Sequence, residues 1–259
     1  MHGLRWSVLE HLVVNEQTQQ QFAKNGFIKL DKFLVPSSLS KVKQVVDVFH
    51  HAWCTDNRDF YETSAINSSG LTSEQYLTEA QRLVLFTLIS DMRLLEAVNQ
   101  VVHSPVFMGT QLFFDPFNTK QANYWHRDPQ YHLTVEQQKL ALTGPEVLHV
   151  RIPLTADPGV EVIPGSHINW DTDEELQVRL EQNGHKHSES LANGVSIPLM
   201  LGDVLLFSAN MIHRGLYGNN RLALDILYCE RVPQLTEFIQ LKHQPSAQMF
   251  PDLDKSLFL

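Results

Sequence analysis

A mainly β fold, a sandwich or barrel of short strands flanked by N-terminal helices, is predicted by three features of this 259-residue chain. Helical periodicity dominates before Pro105, strand-length apolar runs dominate after it, and one capped helical stretch interrupts those runs. The length suits one large domain, and a hydrophobic content of 43% is enough to fill its core. The expected organisation is therefore a single domain over 1–259. Within it, 1–105 is mostly helical, 106–230 is the β core with a helical insertion at 171–184, and 231–259 is a C-terminal tail.

The polar, glutamine-rich run Glu16 to Lys24 is stopped by Asn25-Gly26, so a helix leads into the short strand Phe27-Ile28-Lys29-Leu30. Pro36-Ser37-Ser38 opens a second helix, in which Leu39, Val42, Val46 and Phe49 form one apolar stripe. Periodicity fails between Cys54 and Gly70, which reads as a loop. A longer helical stretch starts near Ser73-Glu74, breaks around Ser90-Asp91, and is ended by Pro105. Strand-like runs follow at Val106-Phe107-Met108, at Gln111-Leu112-Phe113-Phe114 and around His126. In the next strand Leu148, Val150, Ile152 and Leu154 point one way. Asp157-Pro158-Gly159 reads as a turn before Val160-Glu161-Val162-Ile163, and Pro164-Gly165-Ser166-His167 as another. In the insertion Thr172 and Glu175 are placed as a capping box, with Gly184 as the C-terminal stop. Val195 to Leu199, Val204 to Phe207 and Leu222 to Tyr228 complete the β block.

Composition excludes several function classes. Lys+Arg of 20 against Asp+Glu of 29 gives a net charge of -9 spread along the chain, so nucleic acid and anionic membrane are poor partners. Cys54 and Cys229 form neither a close pair nor a Cys-x-x-Cys, which fits a reducing cytoplasm. Met1-His2-Gly3-Leu4-Arg5-Trp6 lacks the apolar run of a signal peptide, and no segment has the apolar length of a membrane span. A small-molecule substrate is expected; the sequence does not set the oligomeric state.

The chemistry centres on Tyr124-Trp125-His126-Arg127-Asp128-Pro129. An extended backbone turns His126 and Asp128 to the same face, where both can grip one ion. Among 13 histidines a lone His-x-Asp is weak, since turns and salt bridges use the same residues. His213 strengthens it, because a jelly-roll that folds back on itself can bring the end of the Val204 to Phe207 strand to the first pair. Two histidines and one carboxylate leave positions for substrate and oxygen, as expected of non-haem iron(II) oxygenases. Arg221 starts a strand after Gly215-Leu216-Tyr217-Gly218-Asn219-Asn220, where a guanidinium can clamp the far carboxylate of a dicarboxylic acid. The plainer alternative is a surface Arg in a turn. Tyr124, Arg127 and Tyr131 are substrate-pocket candidates, and Trp125 is assigned to core packing. Tyr217 is either a pocket or a packed turn residue. His149 and Arg151 point either into the barrel or out to solvent.

Three segments together resemble the phytanoyl-CoA dioxygenase family: His126-Arg127-Asp128, the turn Ile163-Pro164-Gly165-Ser166-His167, and Gly202-Asp203-Val204-Leu205-Leu206-Phe207 through His213 to Arg221. The opening Asn25-Gly26-Phe27-Ile28 is similar too, so the likeness spans about Phe22 to Glu230. The resemblance implies a double-stranded β-helix, a cupin-like jelly-roll, with N-terminal helices. It implies Fe(II) held by His126, Asp128 and His213, the co-substrate 2-oxoglutarate held by Arg221, and O2 as second co-substrate. Gln111 is a further candidate partner of 2-oxoglutarate or an ordinary sheet-face residue. Ser166 and His167 are implied to be structural or to rim the pocket. The implied reaction hydroxylates a small organic metabolite and releases succinate and CO2. Halogenating relatives replace the carboxylate by a small residue, so Asp128 argues for hydroxylation or another oxidation. The loop between His213 and Arg221 is shorter than in better-known members, and no basic patch for a CoA thioester is visible.

Two other classes share the ligand types. A cupin-like zinc hydrolase or isomerase also uses two histidines and a carboxylate with an open position. A non-catalytic metal- or ligand-binding barrel would be marked by a broken ligand set. Nucleophilic hydrolysis is remote, because Gly165-Ser166-His167 lacks the strand, sharp turn and helix of a nucleophile elbow.

Overall fold

Residues 16–259 are described by the structure, a computed structural model; the reading of Met1 to Trp6 concerns residues outside them. Gly26, at φ +81°, ends α1 (Glu16–Asn25) and turns the chain into β1 (Phe27–Leu30). A Cβ there would stand 2.6 Å from the His167 ring, so only glycine lets that imidazole pack under the turn. Pro36, favoured in a first helical turn, opens α2 (Pro36–Asp56), whose Leu39, Val42, Val45, Val46 and Phe49 are buried. The loop expected from Cys54 to Gly70 is instead the end of α2, then α3 (Arg58–Thr63) and β2 (Asn67–Ser69). Both helical pieces are polar on their outer faces, and that diluted the apolar period. The next helix starts later than Ser73: Thr78 and Gln81 cap α4 (Glu79–Ile89) reciprocally. Ser90 ends it, and Asp91 caps α5 (Met92–Asn99), so the expected break is real.

The two runs around Gly109 form one strand, β3 (Pro105–Phe114), with a bulge between Phe107 and Gly109. The segment around His126 is not a strand. His126 makes an isolated bridge, and Asp128–Tyr131 coils into a 3-10 turn. A short helix missing from the sequence reading, α6 (Val135–Ala141), follows behind a Thr134–Gln137 capping box. Next come β4 (Val147–Pro153), β5 (Asp157–Val162) and α7 (Asp173–Arg179), where the predicted Thr172–Glu175 box is formed. Asp157-Pro158-Gly159 is a bulged start of β5 rather than a free turn, and α7 stops five residues before Gly184. β6 (Val195–Leu199), β7 (Val204–Ser208), β8 (His213–Gly215), β9 (Leu222–Glu230) and α8 (Pro233–Thr236) complete the order.

Two antiparallel sheets result, one ordered β1-β7-β4-β9-β3-β2 and one β6-β5-β8. They form an open jelly-roll and not a closed barrel. Val160, Val162, Ile197 and Leu199 of the smaller sheet pack on Leu205 and Phe207 of the larger and on Met211 of the turn between β7 and β8. The other face of the larger sheet carries Leu148, Val150, Ile152, Leu224, Ile226 and Tyr228 against the helices. Each such side chain contributes about 1.5–3 kcal/mol when fully buried, and Tyr228 also donates its hydroxyl to Ile89 O at 2.6 Å. The segment 231–259 is more than a tail: Leu253, Leu257 and Phe258 belong to this core. Among the described residues, no helix is long and apolar enough to cross a membrane.

Candidate metal centre

Antiparallel backbone pairing brings the distant halves of the site together. His126 N donates to His213 O and His213 N to His126 O, each at 2.9 Å, so the two imidazoles stand side by side with centroids 4.2 Å apart. Asp128 N donates to Ala209 O at 3.1 Å, which sets the carboxylate beside them. Its Oδ1 lies 3.4 Å from His126 Nε2 and 3.7 Å from His213 Nε2, and one ligand atom from each residue falls within 4.8 Å of the others. Ligands bound at 90° with bonds of ~2.1 Å would be roughly 3 Å apart, so little movement closes them on one ion.

The imidazoles are also in the right form. His126 Nδ1 lies 3.2 Å from Tyr124 O and His213 Nδ1 3.0 Å from Met211 O. Each carbonyl takes the Nδ1 proton and leaves the Nε2 lone pair facing the site. Burial, reinforced by His126, pushes His213 down to about 3, so its Nε2 carries no proton to displace. Burial would raise the Asp128 carboxyl, but His149, His126 and His213 hold it well below the usual carboxylate range.

His149, left open by the sequence, proves to be the support of Asp128. Its Nε2 is 2.6 Å from Asp128 Oδ2 and its Nδ1 3.1 Å from Asp225 Oδ2. Because both neighbours are acceptors only, this geometry calls for the doubly protonated ring; the two carboxylates outweigh burial and bring His149 up to about 9. Arg151 Nε and Nη2 donate to Asp225 at 2.7 and 2.8 Å and extend the chain. Oδ2 of Asp128 is thus occupied by His149 while Oδ1 faces the imidazoles, which favours one-oxygen binding and preserves open coordination positions. We expect His149→Leu to weaken Co(II) binding to the full chain by about 10–100-fold, the range for loss of such an outer partner. His149→Gln, which keeps one N–H donor, should recover part of it. Equal Co(II) titrations for both variants and the parent would refute this support role.

The same cavity, of about 660 Å³, contains Gln111, Tyr124, Tyr131, Tyr217 and Arg221 among its lining residues. Arg221 is buried beneath the loop from β8, and Asp115 accepts from Gly218 N at 2.7 Å and from Arg221 N at 3.2 Å to hold that loop. Its Nε is 3.2 Å from Asp157 Oδ1, an ion pair without hydrogen-bond alignment. Nη2 and the Tyr217 hydroxyl are buried with no hydrogen-bond partner, an unfilled demand for an acceptor at this end of the cavity. Burial and the nearby Arg151 lower the Arg221 guanidinium from its ordinary value, the response of a cation short of counter-charge. A Cβ on Gly215 would lie 2.7 Å from Arg221 Nη1, so the missing side chain makes the cradle.

Arg127 is a correction. It does not line the cavity but points to the opposite side, where Nε and Nη2 meet Asp171 Oδ1 at 2.9 and 2.7 Å. Trp125, buried, packs with Ile163, Val178, Leu191 and Ile212. Ser166 Oγ accepts from Ile212 N at 2.9 Å and so ties the Pro-Gly-Ser-His turn to the strand bearing His213, while His167 packs edge-on against Phe22. Asp115, Asp157, Asp171 and Asp225 went unrecognised in the sequence, each lying dozens of residues from the basic group or loop it holds, or being read as a turn.

Residues 22–220 match the profile of the family described as Phytanoyl-CoA dioxygenase (PhyH). The chain belongs to the phytanoyl-CoA dioxygenase family. No curated protein sequence matches this family member. Several solved structures share its fold at low identity. HygX from Streptomyces hygroscopicus, with nickel and 2-oxoglutarate bound, superposes with a TM-score of 0.61 at 15% identity over 84% of this chain and 88% of its own. EctD from S. alaskensis, with 2-oxoglutarate and 5-hydroxyectoine, gives 0.59 at 16% over 84% and 76%. SnoN, a non-heme alpha ketoglutarate dependent epimerase from nogalamycin biosynthesis, gives 0.53 at 16% over 83% and 82%. At these identities the likeness shows the jelly-roll fold.

Proposed function

We propose that this member of the phytanoyl-CoA dioxygenase family is an Fe(II)- and 2-oxoglutarate-dependent oxygenase that hydroxylates a small organic molecule. The observation that carries the reading is the convergence of His126, Asp128 and His213 in one cavity with the unsatisfied guanidinium of Arg221. Iron(II), 2-oxoglutarate and O2 would supply the oxidising power, with 2-oxoglutarate leaving as succinate and CO2. The chain's own residues do the rest. His126, His213 and Oδ1 of Asp128 would hold the metal on one side, and His149 would keep the second carboxylate oxygen away from it. Arg221 and the Tyr217 hydroxyl would seat the far carboxylate of 2-oxoglutarate, with Gln111 within the same wall. HygX and EctD with 2-oxoglutarate bound support this assignment, whereas the epimerase SnoN marks hydroxylation as one of several oxidative outcomes this fold hosts.

Anaerobic titration with iron(II) and 2-oxoglutarate tests the reading, and a weak visible charge-transfer band of the chelate is expected. Absence of the band, with zinc-dependent hydrolysis or isomerisation instead, would replace the oxygenase by the cupin-like zinc enzyme. In Arg221→Ala the band should need about 10–100-fold more 2-oxoglutarate, corresponding to a lost charged hydrogen bond of about 1.5–3 kcal/mol. An unchanged titration would remove Arg221 from the co-substrate site.

A further inference from the structure

The cavity has a second end, and its chemistry differs from the first. On the inner face of the larger sheet, Arg151 pairs with Asp225 and Asp225 with Gln111, while one step along the strands His149 pairs with Leu227. Beyond His149 the face turns apolar. Met108, Leu133, Val147, Leu227, Leu235 and Phe238 line the cavity, with Gln234 of α8 and His132 as polar neighbours, and Met108, Val147 and Leu235 also pack on the buried Val106, Cys229 and Ile239. Leu227 is the one residue of β9 before its last that is not buried, so its side chain is available to a guest. The segment carrying α8 roofs this end: Leu235 comes from α8, and Phe238 stacks on His132, just past the turn that starts at Asp128, at 6.4 Å.

Charge completes the contrast. The only Lys or Arg among the described lining residues is Arg221, which sits over Phe113 at the other end, 5.5 Å from its ring centroid. The His149 imidazolium beside Leu227 has both ring nitrogens taken by Asp128 and Asp225, so a phosphate or carboxylate placed under α8 would find no free cation among the described lining residues, and the α8 segment adds the acidic, exposed Glu237. We infer that the compartment between Leu227 and α8 is the substrate site and that it takes an uncharged molecule with a hydrocarbon body, held by Met108, Val147, Leu227, Leu235 and Phe238. As a substrate assignment this rests on the oxygenase reading. As a binding site it stands without it. A hydrocarbon body under α8 places its near end beside His149 and Asp128, and hence at the open side of the candidate metal centre.

The test uses the full chain without metal and the neutral fluorophore N-phenyl-1-naphthylamine as probe. Saturable fluorescence enhancement is expected, weakened at least about tenfold by Leu227→Lys or Leu235→Glu and unchanged by Met200→Glu at an exposed apolar site elsewhere or by added 2-oxoglutarate. Thermal melting confirms that each variant is folded; should Leu227→Lys fail to fold, Leu235→Glu on the partly exposed helix carries the comparison. Binding that neither charged variant weakens, or that 2-oxoglutarate displaces, overturns the inference. A second arm scores succinate release by the iron-loaded enzyme with neutral terpenoid and long-chain alcohols against amino acids and CoA thioesters. Stimulation by the alcohols alone supports the assignment. Stimulation by an amino acid or CoA thioester overturns it while leaving the oxygenase reading intact. Probe binding without any charge-transfer band would sink that reading and leave the apolar site standing.

Discussion

Asp128→Ala is expected to abolish iron retention on gel filtration and to reduce succinate formation by more than about a hundredfold, beyond the range for losing an outer partner alone. The reason is double. The substitution deletes the carboxylate that, among the described residues, lies beside His126 Nε2 and His213 Nε2, at 3.4 and 3.7 Å. It also leaves the His149 imidazolium, now missing one of its two carboxylate partners, with a proton pointing into the space the carboxylate vacates beside the metal site. A dication facing two neutral imidazoles and an unpaired imidazolium is bound far less well than one facing a carboxylate. Asp128→Asn should fall almost as far, because it keeps the shape and loses the charge. Co(II) titration followed by its visible absorption separates loss of metal from loss of turnover. Parent-like affinity in Asp128→Ala would take Asp128 out of the metal site, and with it the proposed oxygenase.

The main lines of the fold were legible because local signals agreed with one another. Asn25-Gly26 stopped a helix where Gly26 takes φ +81°, Thr172 with Glu175 formed the predicted capping box, and the alternation of Leu148, Val150 and Ile152 put all three in the core. Boundaries failed where polar outer faces hid the helical period, as from Cys54 to Thr63, or where a strand began on a bulge, as at Asp157. The three candidate ligands could be named because His-x-Asp carries its chemistry in its spacing. What could not be read was the support behind them. His149 pairs with Asp225 across 76 residues, and Arg221 reaches Asp115, through its backbone N–H, across 106. Such partners are set by strand register, which a single sequence does not display. Arg127 is the instructive miss. The alternation that sends His126 and Asp128 to one side sends the residue between them to the other, and there the sequence offered no sign of Asp171, 44 positions away.

That far side supports the second large prediction. Asp171 accepts from Arg127 through Oδ1 and from Arg179 Nε through Oδ2 at 2.8 Å, and all three side chains are almost fully buried. Arg127 also donates to the backbone carbonyls of Ser166 and Asn210, and so ties the Pro-Gly-Ser-His turn to the chain just before His213. Asp171→Ala removes the shared anion and strands two guanidiniums in a low-dielectric interior. Breaking a buried pair in this way costs about 3–5 kcal/mol, which lowers Tm by roughly 6–20 °C for a chain of this size. Arg127→Met should cost less, because Asp171 keeps Arg179 and a flexible apolar side chain fills much of the space. Thermal melts and urea titrations of the two variants give the order directly. If Arg127 were instead a substrate contact, Arg127→Met would raise KM with Tm unchanged, the opposite pattern. The expected pattern ties metal affinity to this distant ion pair, since the turns that Arg127 fastens are those that hold His213 opposite His126.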